Sequence, residues 1–94
     1  MEYRAEMGFS HGELLRGLPS AVHPYNITKQ SDRVYLVQRE HRTARIHLSP
    51  ERVRAIASIS LPITDVEITF ENFTEQEYEA FMDRFRRYLQ RGGG

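Results

Sequence analysis

Two helix-start signals, each placed after an alternating strand, constrain this chain more than any other feature. The segments Phe9–Leu14 and Phe73–Tyr78 both read apolar, Ser or Thr, two residues, Glu, apolar. In each, the hydroxyl oxygen can accept a hydrogen bond from the backbone N–H three residues on. The glutamate can accept one from the N–H of the hydroxyl residue, which completes a capping box. The chain is therefore predicted to pass directly from a strand into a helix twice.

The first predicted helix is short and the second is long. Gly17 and Pro19 are expected to end the first helix early. In the second, apolar residues recur at the spacing of one continuous helical stripe. The stripe consists of Tyr78, Phe81, Met82, Phe85, Tyr88 and Leu89. Acids crowd the first half of this helix and arginines its second half, as the helix dipole favours, and Gly92 is expected to end it.

Alternation of apolar and polar residues predicts four strands, and a short run at residues 34–37 that is apolar at both parities predicts a fifth. They are expected within residues 3–9, 25–28, 34–37, 43–48 and 65–71. Residues 49–62 are ambiguous, because Ser49 and Pro50 make a good helix start while the apolar residues from Val53 to Leu61 also fit a strand. We favour a short helical turn near residues 50–57, broken by Leu61-Pro62-Ile63.

These elements predict an α+β fold in the order β-α-β-β-β-(short helical turn)-β-α. A long C-terminal helix is expected to pack on one face of an antiparallel sheet. The order resembles the β-α-β4-α class that includes TATA-binding-protein-like and helix-grip folds. The resemblance is one of topology, and no residue motif of those families is present, so it implies no functional residue. Residues 1–91 are predicted to form a single domain, and residues 92–94 a disordered glycine tail.

Composition excludes several classes of protein. The chain has no cysteine, so neither a disulfide nor a thiolate site is available. No apolar run approaches the roughly 18 residues of a membrane span, so no membrane partner is expected and the predicted setting is cytoplasmic. The formal net charge is zero, but residues 29–54 hold seven basic and three acidic side chains. Residues 63–83 hold seven acidic side chains and no basic one. This segregation predicts a dipolar molecule.

Catalytic and metal-binding patterns are weak. His41 and His47 lie six residues apart on one predicted strand, roughly 20 Å, which is too far to share a metal ion. Glu67 and Glu71 are expected on a solvated face, where both stay ionised. No Gly-rich phosphate loop is present. The chain is therefore predicted to be non-catalytic, without cofactor or metal. One alternative is an enzyme whose site forms at a dimer interface from His41, His47 and Asp65 or Glu67.

The leading hypothesis is a small cytoplasmic protein-interaction or ligand-binding module that uses an arginine-rich strand face. Arginine forks suit an anionic protein or an anionic ligand. The predicted contact residues are Arg39, Arg42, Arg45, His47 and Arg54. The alternative is binding of single-stranded nucleic acid through the same arginines, although a net charge of zero is unusual for such proteins.

A homodimer is also expected, because the chain has more apolar strand residues than two helices can cover. The residues in excess are Tyr25, Tyr35, Val37, Ile59, Leu61 and Ile63.

Overall fold

The computed structural model describes residues 1–89 as one antiparallel sheet system with two helices. In chain order the elements are β1 (Glu2–Met7), α1 (His11–Ala21), β2 (Asn26–Ser31), β3 (Val34–Arg39), β4 (Arg42–Leu48), β5 (Arg52–Ile56), β6 (Ile59–Glu71) and α2 (Glu75–Tyr88). The predicted α+β class and the long C-terminal helix on one face of the sheet are confirmed. The predicted helix end at Gly92 and the tail at residues 92–94 lie outside the described residues.

The sheet has the strand order β1-β6-β4-β3-β2, and β5 pairs with β6 off this path. Both helices cover the same face, because one parity of every central strand is buried with them in one cluster. Across this core, Phe85 and Met82 of α2 and Leu14 of α1 are almost completely buried, as are Ile46 and Ile68 of the sheet. The opposite face of the sheet, which we call the open face, has no helix of residues 1–89 on it.

Both predicted capping boxes are present. Ser10 Oγ accepts from the Glu13 N–H at 3.1 Å, and Glu13 accepts from the Ser10 N–H at 2.9 Å. Thr74 and Glu77 repeat the arrangement at 3.1 and 2.8 Å. Each box satisfies two backbone donors that a helix start leaves without an intrahelical partner. The two boxes therefore fix where the chain turns from the sheet onto the covered face.

The prediction that Gly17 and Pro19 end α1 early is wrong. The helix runs to Ala21 with Pro19 inside it, in the last turn, where a proline removes only one intrahelical hydrogen bond. Gly17 has a packing role instead, because a Cβ atom there would lie 2.7 Å from Cδ2 of Leu89 beyond the end of α2. The predicted placement of Tyr88 in the apolar stripe is also wrong, since 47% of this residue is exposed and its ring contacts Arg84.

The predicted helical turn near residues 50–57 is wrong as well. This segment forms strand β5, which pairs with β6 from Arg52↔Ile63 to Ile56↔Ile59. Leu61-Pro62-Ile63 does not break the chain but lies within the 13-residue strand β6. Only two residues separate the strands, and the first of them, Ala57, has a positive φ of 54°. Pairing with a neighbouring strand thus overrides the helix-start signal at Ser49 and Pro50.

Strand β6 takes part in both the main sheet and a two-stranded extension. Its C-terminal part, from residue 64 on, pairs with β1 and β4 within the main sheet. Its N-terminal part pairs with β5 alone, so residues 52–63 form a two-stranded extension that we call the arm. The described residues are elongated, with extents of 46 × 26 × 20 Å. Within residues 1–89, neither helix is long and apolar enough to cross a membrane.

The two glycines of α1 give a matched test of this packing. Gly12→Ala meets only ordinary contacts and should stabilise the protein by up to about 1 kcal/mol through helix propensity. Gly17→Ala gains the same propensity but must displace the buried Leu89, at a cost of about 1–3 kcal/mol. Urea denaturation should therefore rank Gly17→Ala below Gly12→Ala. Equal stabilisation by the two substitutions would contradict the close contact between α1 and Leu89.

Candidate interaction surfaces

The structure distributes the predicted contact residues over three places. Arg39 of β3 and Arg42 of β4 are opposite each other in the strand register, on the helix-covered face. They lie two residues beyond the buried register pair Val37↔Ala44. Arg45 and His47 alternate with buried residues of β4 and therefore lie on the open face. Arg54 lies on the arm. The five residues thus do not form one strand face.

Arg42 is held mainly by contacts within the chain. Its side chain is 13% exposed, and its guanidinium group forms ion pairs with Glu40 and, at 3.1 Å, with Glu77. It also donates to the Tyr25 hydroxyl at 3.4 Å, and its Cζ lies 5.6 Å from the centre of that ring. Within residues 1–89 its buried Nε has no hydrogen-bond partner. The hydrogen bond that Arg42 donates to Glu40 raises the pKa of Arg42, and burial raises the pKa of Tyr25.

A cleft of about 270 Å³ opens beside Arg42, between α2 and the loop that joins α1 to β2. Phe81 and Val22 contribute apolar walls, and Arg39 and Arg84 line it as well. Arg84 is anchored by its Nε, which donates to the Ser20 carbonyl at 2.7 Å. No carboxylate of residues 1–89 lies within ion-pair distance of Arg39. The cleft therefore combines apolar walls with the guanidinium groups of Arg39 and Arg84, and its one carboxylate among residues 1–89, Glu77, is paired with Arg42.

The open face is a mosaic of opposite charges. Arg45 pairs with Glu71 at 2.8 Å, and Arg4 pairs with Glu67 at 2.7 Å. His47 lies directly opposite Glu67 in the register of β4 and β6. A shallow groove of about 610 Å³ runs over this part of the sheet. The face carries alternating charge rather than one continuous basic surface.

The histidines and carboxylates of the enzyme alternative are only partly brought together. His47 and Glu67 are neighbours, whereas His41 lies in the loop before β4, at the other end of that strand. Asp65 is engaged by Arg52. Among residues 1–89, no three His, Asp or Glu side chains converge as possible ligands of a metal ion. What remains together is a cross-strand His–Glu pair on an open surface.

The base of the arm is fixed by a four-residue ion-pair network. Arg52 forms a two-pronged contact with Asp65, at 2.7 and 3.1 Å, and a further contact with Glu6 at 2.6 Å. Arg54 contacts the other oxygen of Glu6 at 2.6 Å. The Arg52 hydrogen bond lowers the pKa of Asp65 below its ordinary value of 3.8. Glu6 and Asp65 are themselves opposite each other in β1 and β6, so the network ties the arm to two strands of the main sheet.

A second set of contacts holds the connection that precedes the arm, residues 49–51, against β6 and α1. Between the pairs Leu48↔Val66 and Arg52↔Ile63, one strand has three residues and the other has two, so the ladder is locally irregular. Within this irregular stretch, the Ser49 hydroxyl accepts from the Asp65 N–H at 2.9 Å. Glu51 accepts from the first N–H of α1, at His11, at 2.6 Å. The connection between β4 and β5 is therefore held by hydrogen bonds to its neighbours.

The arm itself is the most apolar exposed segment of the described residues. Val53, Ile56, Ile59 and Leu61 are exposed to 69, 55, 59 and 37%. Of the residues that we expected in excess, Tyr35, Val37 and Ile63 are buried within the chain, whereas Ile59 and Leu61 remain on the arm. Sequence reasoning did not identify the arm as a surface. Its one visible signal was the strand-like alternation of apolar residues from Val53 to Leu61.

The segregation of charge along the sequence is partly neutralised in three dimensions. Arginines of the basic segment meet acids of the acidic segment in the pairs Arg42–Glu77, Arg45–Glu71 and Arg52–Asp65. Antiparallel pairing of β4 and β5 with β6 produces the last two of these pairs, and the packing of α2 on the sheet produces the first.

Comparison of the chain with protein families, curated proteins and solved structures finds no match. The arguments for its role therefore rest on the surfaces described above.

The pair between Arg52 and Asp65 predicts acid sensitivity. Because the pKa of Asp65 is lowered in the folded state, the pair stabilises the protein above pH 3.8 and this stabilisation is lost as the pH falls through the folded pKa. Asp65→Asn should therefore flatten the loss of unfolding free energy between about pH 5 and about pH 2, measured by urea denaturation. Asp32→Asn, at a fully exposed carboxylate, is the control. Identical acid profiles for the wild type and Asp65→Asn would contradict the role assigned to this pair.

Proposed function

We propose that this chain is a small, non-catalytic, cytoplasmic interaction module that forms a homodimer through the arm. The observation that carries the proposal is the exposure of three large aliphatic side chains, Ile56, Ile59 and Leu61, on one face of a short, two-stranded extension, with Val53 exposed on its other face. Exposed apolar patches of this kind, bordered by charged groups, are typical of surfaces that bind another protein. The charged border here is the network of Arg52, Arg54, Glu6 and Asp65 at the base of the arm.

The size of this apolar surface suits a reversible contact. Burying one large aliphatic side chain contributes about 1.5–3 kcal/mol. The exposed fractions on each arm amount to roughly two fully exposed side chains, so two arms together offer on the order of 6–12 kcal/mol. Association costs about 4–15 kcal/mol in lost freedom. The two ranges overlap, so the net free energy of contact between two arms is centred near zero, which supports a weak, concentration-dependent dimer rather than an obligate one.

The base of the arm is already neutralised, which favours protein contact there. Arg52 and Arg54 have their counter-ions in Glu6 and Asp65 of the same chain, so covering them leaves no unpaired charge. The stems of these arginines can lie against apolar side chains while their charged ends remain paired.

An anionic partner of the predicted kind is best supported at the cleft of α2. Arg39 and Arg84 line this cleft, and Arg39 has no carboxylate partner within residues 1–89. Arg42, Arg45 and Arg54 are engaged by acids of the chain, so an added anion would have to displace an existing ion pair at each of them. Because these arginines are already paired with acids, the structure gives no support to nucleic-acid binding through them. Nucleic-acid binding of that kind would weaken steeply as the salt concentration rises.

The proposal is tested by the mass of the protein in solution. Sedimentation of the wild type over a concentration series should show reversible dimers. The double variant Ile56→Lys, Ile59→Lys should remain monomeric, because two ammonium groups would have to be desolvated in the contact. Leu15→Lys, which places the same charge on an exposed aliphatic position of α1, should dimerise like the wild type. Dimers that persist in the double variant would show that the arm is not the contact element.

A further inference from the structure

The two edges of the arm are chemically different. Antiparallel strands alternate between pairs that exchange both backbone hydrogen bonds and pairs whose N–H and C=O groups point away from the partner strand. Pro62 has no N–H, so its pair with Val53 is of the second kind. The pair that closes the two-residue loop, Ile56↔Ile59, then falls in the hydrogen-bonded class, as expected for such a loop. The alternation along the arm is therefore fixed from both ends.

This alternation determines which backbone N–H and C=O groups point away from the partner strand, toward the open edges of the arm. On β5, both the N–H and the C=O of Val53 and Ala55 point to the open edge. On the corresponding part of β6, the outward groups belong to Ser60 and Pro62, of which Pro62 offers no donor. Strand β1 ends its pairing with β6 at Thr64, so neither edge of the arm is covered by it. The β5 edge is thus a complete template for another strand, and the β6 edge is a defective one.

We infer that two copies of this chain pair through their β5 edges, antiparallel and about a two-fold axis at Ala55, so that the two arms form one four-stranded sheet. This inference rests on the proposed function of the arm. A second copy is the occupant because an antiparallel edge is self-complementary under two-fold symmetry: the outward N–H of Ala55 in each copy meets the outward C=O of Ala55 in the other. The four-stranded sheet of the two arms uses both β5 edges, and its outer edges are the two that contain Pro62. Because these outer edges lack a donor at Pro62, they are poor templates for adding further arms to this sheet.

Charge selects the register. If the axis passes through Arg54, the two Arg54 side chains lie directly opposite each other, which is unfavourable for like charges. If the axis passes through Ala55, each Arg54 faces Ile56 of the second copy, and its guanidinium group keeps the contact with its own Glu6. The aliphatic stem of Arg54 then lies beside Ile56, whose residue is 55% exposed in the single chain.

The same register brings small side chains to the axis. Ala55 faces Ala55 of the second copy, and Val53, the most exposed aliphatic residue of the arm, faces Ala57. Two short strands pair over a small area compared with standard interfaces, so the dimer is expected to be weak and reversible. This agrees with the modest apolar surface that the arms provide.

Two proline substitutions at opposite residues of the arm test the inference. Ala55 and Ser60 form one register pair, and in both the N–H points outward, so neither substitution removes a hydrogen bond within the arm. Ala55→Pro deletes an outward donor of the β5 edge in each copy and should weaken dimerisation by about tenfold or more. Ser60→Pro, on the β6 edge, should leave the dissociation constant within about twofold of the wild type. Sedimentation over a concentration series measures both constants.

The outcomes separate this inference from the proposed function. If both proline variants dimerise like the wild type while Ile56→Lys, Ile59→Lys does not, the arm is the contact but its β5 edge is not, and the inference is overturned. Stronger weakening by Ser60→Pro would overturn it in favour of the β6 edge. A wild type that stays monomeric at millimolar concentration would overturn both the inference and the proposed homodimer.

A measurement on the wild-type chain tests the inference without depending on whether the variants fold. Amide hydrogen exchange by NMR should show the N–H group of Ala55 becoming protected as the concentration rises, while that of Ser60 stays unprotected. Protection at Ala55 that does not change with concentration would contradict β5-edge pairing.

Discussion

Strand β6 is the constraint on which the rest of the structure depends, because one continuous strand serves both the body of the protein and the arm. Its C-terminal part places Val66 and Ile68 in the core beneath the helices. Its N-terminal part leaves the main sheet and has β5 as its single partner. Since the irregular stretch between these parts is held by Ser49 and by the ion pair of Arg52 with Asp65, the direction of the arm is set by its contacts with the body.

The ion pairs at the junction explain how a two-stranded extension is held in place. An isolated hairpin is only marginally stable in water, so it needs support from its neighbours. Arg52 supplies part of that support by joining Asp65 of β6 to Glu6 of β1, and Glu51 adds a hydrogen bond to the start of α1. Individually such exposed pairs contribute little, but here they act together at one base. Acids and arginines that the sequence suggested as opposing surfaces therefore pair with each other within one chain.

The parts of the fold that sequence could predict are those fixed by local chemistry. The capping boxes at Ser10 and Thr74 need only four consecutive residues, and the apolar stripe of α2 needs only helical spacing, so both were predictable. The segment around Val53 was not, because its local signals conflict: Ser49 and Pro50 favour a helix start, the alternation from Val53 to Leu61 favours a strand, and pairing with β6 decides between them. For the same reason Gly17 was interpreted as a helix end, although its role depends on Leu89, more than 70 residues later in the chain.

The candidate surface was predictable only in part. The excess of apolar strand residues pointed to an uncovered surface, and Ile59 and Leu61 do lie on it. The arginines, which drew attention by their number, are mostly engaged within the chain, and that follows from strand register rather than from composition. The functional account therefore moves from an arginine-rich face to an apolar arm with one complete backbone edge.

The most direct test of this account is a measurement of the distance between the tips of two arms. The chain has no cysteine, so Ser58→Cys gives one site for a nitroxide label. With the two-fold axis at Ala55, the two labelled positions lie about six residues apart along antiparallel strands, or about 20 Å. Double electron–electron resonance should show a narrow distribution near this distance. The absence of any defined distance, or a distance under about 10 Å, would contradict pairing of the arms through their β5 edges.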